Sequence, residues 1–399
     1  MPKCRGGKAR IRIEAPTGAQ LRLGDATDWN SGWAALWASG SSEPTLSLLL
    51  GRVAFHGDQL HLRLDVLEGA VFPPQRRPGQ SIGAPRTTAS EAASDLSEAQ
   101  AFGRRRDELA AIADAMYWRT PDHFLDGVAG ALGIAADAIW DETKGCVMHG
   151  AVAWRVPLAG WRGPYVLDVT GRHDRMRRHL LHWIARQNTS EVTNGSGGVP
   201  GERGFTGIVE AKGSPDPESA GSRSESLLHS AGDLSHNHYD MNLVFFDALL
   251  RHLRWTGDLA FAREAWPALE RHAAWERRLF RRDYATGAEP QPLYEAYAAI
   301  WASDNLQYNG GGAAHSSAYN LFLNRGMAEL AERLHEEPEV AAAYRNEADA
   351  IGRAMRDHLW MADRGAFAES REWLGERRLG ESPAVWTLYQ AIDSEVTSA

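Results

Sequence analysis

A chain of 399 residues with 43% hydrophobic and 24% charged side chains has apolar material for a sizeable core, and length for two or three domains or for one large and one small. A net charge of −9 argues against a nucleic-acid partner, which wants a basic face, and no apolar run is long enough for a membrane span. The start, MPKCRGGKARIRIEA, is basic without an apolar stretch, so no signal peptide is read and a cytoplasmic location is expected. Cys4 and Cys146 lie far apart and outside any C-x-x-C pair, which predicts two free thiols in a reducing compartment.

Residues 1–72 are read as a β-rich N-terminal region. RIRIE, QLRLG, LSLLL and QLHLRLDV alternate apolar and polar side chains with period two, and GDATDWNSG and FHGD separate them as turns. A small antiparallel sandwich piece is expected. Residues 73–93 are rich in Pro, Gly and polar residues and read as a linker. From residue 94 to 399 the period is helical.

A connecting helix with a charged middle is expected in DLSEAQAFGRRRDELAAIADAMYW, and Pro121 is placed at the first helical position of the next helix. A further helix is read over 172–187, followed by a mobile surface insertion over 189–226, where Gly, Ser and Pro dominate. Residues 240–255 set Leu243, Phe246, Leu250 and Leu253 on one stripe. Asp258 is a cap for a helix running to about residue 282, with a bend at Pro267. Helices follow over 315–335, from Pro338 and near Pro383. Pairs joined alternately by tight turns and long loops suggest a ring or solenoid of α-hairpins, without a repeat of fixed length.

Chemistry-bearing residues gather outside the helical stripes. Residues 140–171, WDETKGCVMHGAVAWRVPLAGWRGPYVLDVTG, are too long and too aromatic for an ordinary helix connection and are read as a binding loop. Flat aromatic faces cover the apolar faces of pyranose rings, and planar guanidinium or carboxylate groups bind hydroxyls in pairs. Asp141, His149, Trp154, Arg155, Trp161, Arg162 and Tyr165 are the contacts expected there. SHNHYD at 235–240 adds His236, Asn237, His238, Tyr239 and Asp240. YEAYAAIWASDNLQYNGGG at 294–312 adds Glu295, Trp301, Asp304, Tyr308 and Asn309, and FAESREWLGE at 367–376 is a fourth cluster.

Glycoside hydrolysis needs one protonated carboxyl and one carboxylate. Glu142 fits the first role, because Asp141 precedes it and aromatics lie nearby to desolvate it. The bland alternative is that Asp141 and Glu142 cap a helix end or pair with Arg155 or Arg162. Asp304 or Asp240 would serve as base, or else start a turn or cap a helix. His236, His238 and Asp240 form H-x-H-x-D, a short spacing that chance produces often, so sugar-hydroxyl contacts are preferred to a metal. No metal and no cofactor are expected. Gly310–Gly312 lack the GK[ST] of a phosphate loop and are read as a flexible run, and His315, Ser316 and Ser317 have no strand before them to make a nucleophile elbow.

At these residues the chain resembles a family. HNHYDMNLVFFDALLRHLRWTGDLAFAREAWPALERHAAWERRLF looks like a helical hairpin of the six-hairpin glycosidase superfamily, which includes α-L-rhamnosidase-type (α/α)6 toroids. WASDNLQYNGGGAAHSSAYNLFLNRGMAELAERL with VAAAYRNEADAIGRAMRDHLW is similar to the hairpin after it. The likeness is nearest to an uncharacterised bacterial domain family of that superfamily and covers roughly residues 110–395, at WDET, HGAVAWR, GWRGPY, NHYDMN and WASD. It implies a mainly α fold, an (α/α)6 toroid preceded by the small antiparallel β region, with Glu142 as general acid. The residues after Asp141-Glu142 depart from the rhamnosidase pattern, so rhamnose specificity is not implied. A closed toroid needs twelve helices and about seven or eight are read here, so the toroid is expected to be incomplete, with no assurance that this chain holds its base, and its open edge would invite self-association.

The expected function is an inverting glycoside hydrolase acting on a plant or microbial oligosaccharide, its carboxyls ~6.5–9.5 Å apart. The alternatives are a carbohydrate-binding or inactive fragment lacking the base, and an α-hairpin scaffold that binds protein.

Overall fold

The computed structural model describes residues 10–14, 18–40, 47–52, 63–68, 97–151, 157–160, 162–188, 228–229, 240–299 and 307–396. The chain divides into two compact units, Met1–Asp114 and Ala115–Ala399. The expected linker at 73–93 and insertion at 189–226 lie outside the described residues.

In the first unit, β1 (Arg10–Glu14) pairs antiparallel with β4 (Arg63–Glu68), and β2 (Gln20–Asp25) pairs antiparallel with β3 (Ser47–Arg52). The segment read as a turn is helical: a 3-10 turn over Ala26–Ser31 and α1 over Trp33–Ser39. Asp25 starts it by accepting from Thr27 N at 3.0 Å, so an acid expected to mark a turn is a helix cap. The helix α2 (Glu98–Asp114) groups with this unit rather than with the helical domain. Its start is a reciprocal cap in which Ser97 N donates to Gln100 Oε1 at 2.9 Å and Gln100 N to Ser97 Oγ at 3.3 Å.

The second unit is mainly helical. Helix α3 (His123–Ala138) begins one residue after Asp122, whose carboxylate accepts from Phe124 N, so Pro121 precedes the cap instead of opening the helix. The short α4 (Tyr165–Val169) leads into α5 (His173–Ile184). Helices α6 (Asp240–Thr256) and α7 (Leu259–Leu279) form one hairpin, turned at Gly257 (φ 65°), with Asp258 capping α7 through Phe261 N as expected. Helices α8 (Ala314–Leu334) and α9 (Pro338–Leu359) form the next, turned at His335 (φ 61°), and α10 (Val385–Asp393) follows.

Contacts fix the helix directions. Tyr319 of α8 packs on Leu243 and Val244 of α6, Gly326 meets Leu250, and Arg254 pairs with Glu329, so α6 and α8 run parallel. Both are buried nearly all round, beyond the single stripe expected from Leu243, Phe246, Leu250 and Leu253. A helix apolar on every side is an inner helix covered by others. The returning α7 and α9 show the ordinary two-faced pattern. The two larger core clusters among the described residues lie around Trp183, Phe245, Phe261, Leu269 and Met327, and around Trp275, Phe280, Tyr294, Ile351 and Met355.

Two clusters read as polar loops are strands. A five-stranded sheet runs in the order β15 (Leu379–Gly380), β14 (Ser370–Glu372), β11 (Gln307–Ala313), β10 (Pro292–Ala299), β9 (Arg281–Asp283), while β7 (Gln187–Asn188) pairs with β8 (Leu228–His229) and β12 (Trp360–Met361) with β13 (Ala366–Phe367). The glycine run belongs to β11 and is fitted to its neighbours. A Cβ on Gly311 would lie 2.0 Å from Arg371 O, and one on Gly312 2.2 Å from Leu293 Cβ. Residues expected to supply flexibility supply the absence of a side chain. No helix among the described residues is long and apolar enough to cross a membrane.

Candidate functional site

The WDE segment folds as a hairpin of β5 (Trp140–Asp141) and β6 (Cys146–Val147). Asp141 Oδ1 accepts from Lys144 N at 2.9 Å and Gly145 takes φ 66°, so Asp141 shapes the turn. Glu142 points outward, its side chain 68% exposed. Arg178 Nη1 donates to Oε1 at 2.6 Å and Trp140 Nε1 to Oε2 at 2.5 Å, while Arg175 and Arg178 each stand 5.2 Å from the Trp140 ring centroid. The Arg178 hydrogen bond, then the indole, hold the Glu142 carboxyl below the usual range. The expectation that burial keeps Glu142 protonated is therefore overturned: the aromatic beside it donates a hydrogen bond instead of excluding water, and among the described residues the cation that binds it is Arg178. His149 is half-buried beyond this hairpin.

The GWRGPY segment builds a pocket elsewhere. Gly160 lies against the first turn of α6, where a Cβ would fall 2.1 Å from Met241 O. This close approach delivers Arg162 and Tyr165 to one wall. The Arg162 guanidinium stacks 4.6 Å from the Tyr389 centroid and 5.8 Å from that of Tyr165, and its Nη2 donates to Tyr319 OH at 3.1 Å. Tyr165 OH donates to Asp247 Oδ2. Arg251 grips Asp247 with two donors at 2.8 and 3.2 Å and reaches Asp393. Arg162, Tyr165, Asp247, Arg251, Tyr389, Ile392 and Asp393 line a cavity of about 360 Å³. Burial raises the Asp247 pKa against the pull of Arg251.

A second group of carboxyls lies where α6 and α8 begin. Asp240 is the buried first residue of α6. Glu276 of α7 accepts from Asn320 Nδ2 at 3.2 Å, and burial, aided by the charge of Asp240, pushes its carboxyl up to about 8. Glu295 of β10 is buried with Arg282 Nη2 2.6 Å from its Oε2, and burial outweighs that cation to raise it to about 7. Glu369 is half-buried at the start of α8, its carbonyl accepting from Ala314 N at 2.8 Å, and burial raises it too. His315 and Ser316, in the first turn of α8, keep buried polar atoms without a hydrogen-bond partner among the described residues, as does Asn320 at Oδ1. Strand β11 does run directly into α8, contrary to the expectation for His315, Ser316 and Ser317. Ser317 Oγ nevertheless accepts from Tyr294 N at 2.9 Å, and no base among the described residues is coupled to it.

Of the expected contacts, the structure brings Arg162 and Tyr165 together, and Asp240 and Glu295 to one end of the helices. Glu142 and Asp141 sit in a separate neighbourhood. Trp154, Arg155, Trp161, His236, Asn237, His238, Tyr239, Trp301 and Asp304 lie outside the described residues, and Tyr308 and Asn309 are described only as backbone of β11, with Tyr308 opposite Tyr297. Sequence reasoning missed Glu276, Asn320, Asp247, Arg251, Tyr319 and Tyr389. Asp247 and Arg251 carry an i, i+4 ion-pair signal that reads as a solvated helix face until the fold buries it.

No protein-family model matches the chain, and no curated protein does. Among solved structures it is similar to a rhamnosidase from Klebsiella oxytoca with rhamnose bound, at 16% identity and a TM-score of 0.43, covering 97% of this chain and 65% of that one. It is also similar to a GH78-family rhamnosidase of Bacillus sp. GL1, at 16% identity and a TM-score of 0.39, covering 72% of this chain and 26% of that one.

Proposed function

We propose that the chain is a glycoside hydrolase-like domain of an α-hairpin toroid, acting on a plant or microbial oligosaccharide. The observation that carries this is the 360 Å³ cavity, where two tyrosine rings, two guanidinium groups and two carboxylates face one space. That combination suits a pyranose, whose apolar face needs an aromatic surface and whose hydroxyl pairs need planar polar partners. The sequence likeness at GWRGPY supports it, because Arg162 and Tyr165 of that segment are the groups delivered to the wall.

The general acid must be protonated near neutral pH, and Glu142 is held ionised. Glu369 is the better candidate, because burial raises its carboxyl where Arg178 lowers that of Glu142, while it stays half-open. It sits at Ala314, five residues and ~7.5 Å along α8 from Tyr319, which hydrogen-bonds Arg162. Asp304 or Asp240 remains the proposed base. Asp240 is two turns, ~10.5 Å, from Asp247 on the same face of α6.

The test is hydrolysis of a panel of aryl glycosides by the chain and by Glu369→Gln, Glu142→Gln, Asp304→Asn and Asp240→Asn. Glu369→Gln is expected to lose about 10²–10⁴-fold in kcat with Glu142→Gln near the parent rate. Loss in Glu142→Gln alone would return the acid role to that residue. Sugar binding without turnover would establish the second reading, a carbohydrate-binding or inactive module.

Self-association through an exposed apolar face is a further part of the proposal. Helix α3 presents Phe124, Leu125, Val128 and Leu132 to solvent, a stripe that favours self-association. Sedimentation of Leu132→Lys against the parent tests it.

A further inference from the structure

We propose that Asp168, His173 and His252 form a binding site for a zinc-class divalent cation. Nothing in the carbohydrate reading uses these residues. Asp168 is the fourth residue of α4, His173 the first of α5, and His252 lies in the penultimate turn of α6. The fold brings the three to one point: Asp168 Oδ1 is 2.9 Å from His173 Nδ1 and 2.8 Å from His252 Nδ1. One ligand atom from each of the three lies within 4.8 Å of the others.

Two imidazoles and one carboxylate are the donor set of borderline cations such as zinc, cobalt(II) and nickel(II). Burial strengthens the case. His252 is 2% exposed and Asp168 7%, so two ligands are fixed in a protein wall, whereas His173 is half-exposed. Asp168 also lines a cavity of about 430 Å³, with Tyr165, Met176, Arg254, Trp255 and Phe322 among its walls. A cation at Asp168 could therefore keep a water as fourth ligand, the pattern of an open site. The spacing needs a small adjustment. Tetrahedral zinc with bonds of ~2.1 Å sets its ligand atoms ~3.4 Å apart, so the carboxylate must draw back by ~0.5 Å, within reach of a side-chain torsion.

The neighbouring cations do not oppose the site. Arg172 and Arg175 are held by Asp137, and Arg251 by Asp247 and Asp393. A bound ion would tie α4, α5 and α6 together at the end opposite the first turn of α6. The competing account is a purely hydrogen-bonded triad, in which both Nδ1–H groups donate to Asp168.

The full chain, stripped with EDTA and dialysed, is titrated with ZnCl2 by calorimetry and with CoCl2 by visible absorption, with thermal unfolding followed at each step. The expected result is one ion per chain at low-micromolar Kd or tighter, visible d–d bands for cobalt and a raised Tm. Asp168→Asn and His173→Gln are each expected to weaken zinc at least 100-fold, with circular dichroism unchanged. His173→Gln is the safer variant because its side chain is half-exposed. His123→Gln, on exposed α3, is the control that binds normally. Absence of binding below 1 mM zinc would overturn the site in favour of the hydrogen-bonded triad. So would binding at full strength in both variants, which would put the ion elsewhere. Neither result depends on glycoside turnover.

Discussion

The β5–β6 hairpin and the end where α6 and α8 begin carry the same functional group in opposite electrical settings. At the hairpin, Glu142 is open to water, bound by Arg178 and held ionised. At the helix starts, Glu276 has lost water, meets a neutral amide and a nearby acid, and stays protonated up to about 8. The difference teaches that a carboxyl's role follows from what replaces its water. An aromatic neighbour desolvates only if it covers the carboxyl, and Trp140 presents its N–H edge to Glu142 instead. In the open, Arg178 then lowers Glu142, whereas at the buried Glu295 the loss of water outweighs Arg282 at 2.6 Å.

The largest effect that would break this comparison is at Gly160, which holds the Arg162 segment against α6. Gly160→Ala places a Cβ 2.1 Å from Met241 O and is expected to cost about 3 kcal/mol or more, read from the urea midpoint. Near-parent stability would mean that this segment is not clamped to the helix.

Glu276→Gln sharpens the contrast through pH. The folded carboxyl is raised from 4.5 to about 8, so the unfolded chain ionises first as pH rises. Native stability from this group is complete below pH 4.5 and falls between 4.5 and about 8, by an amount on the order of a few kcal/mol. The variant, with nothing to ionise, should gain on the parent steadily across that window. A constant difference between the two would place Glu276 in water.

The acid side runs the other way. Burial depresses His179 and His272 to about 3 and His315 to about 4. The unfolded chain takes up these protons first, so stability is lost as pH falls from 6.5 toward 3. His272→Phe, beside the Phe246 ring 4.0 Å away, should flatten part of that loss in acid denaturation.

Arg162→Ala removes a stacked and hydrogen-bonded guanidinium and should destabilise by about 2 kcal/mol. It should also weaken any sugar that stabilises the parent by tenfold or more, in the same calorimetric assay. Glu142→Gln is the smallest. An exposed pair contributes up to about 1 kcal/mol, and 1 M salt should erase the difference.

Much of the helical framework was legible in the sequence. The 3.6-residue period places α6 to α9 within a few residues, and Asp258 and Pro338 mark starts because capping and proline geometry are local. The likeness at GWRGPY picks out Arg162 and Tyr165. The sheet was not legible, because β11 draws on Gly311 and Gly312, whose value depends on Arg371 and Leu293 across the ladder. The protonation of Glu142 was misread for the same reason, since Arg178 lies 36 residues away.

What the sequence by itself determined is therefore what neighbours in the chain decide: helix periods, caps, turn glycines and the supply of aromatic and acidic side chains. Only the tertiary structure decided which acids lose their water, which arginines meet them and which histidines share one aspartate. Those outcomes depend on desolvation and on pairs far apart in the chain, Asp168 with His252 and Tyr165 with Asp247 among them.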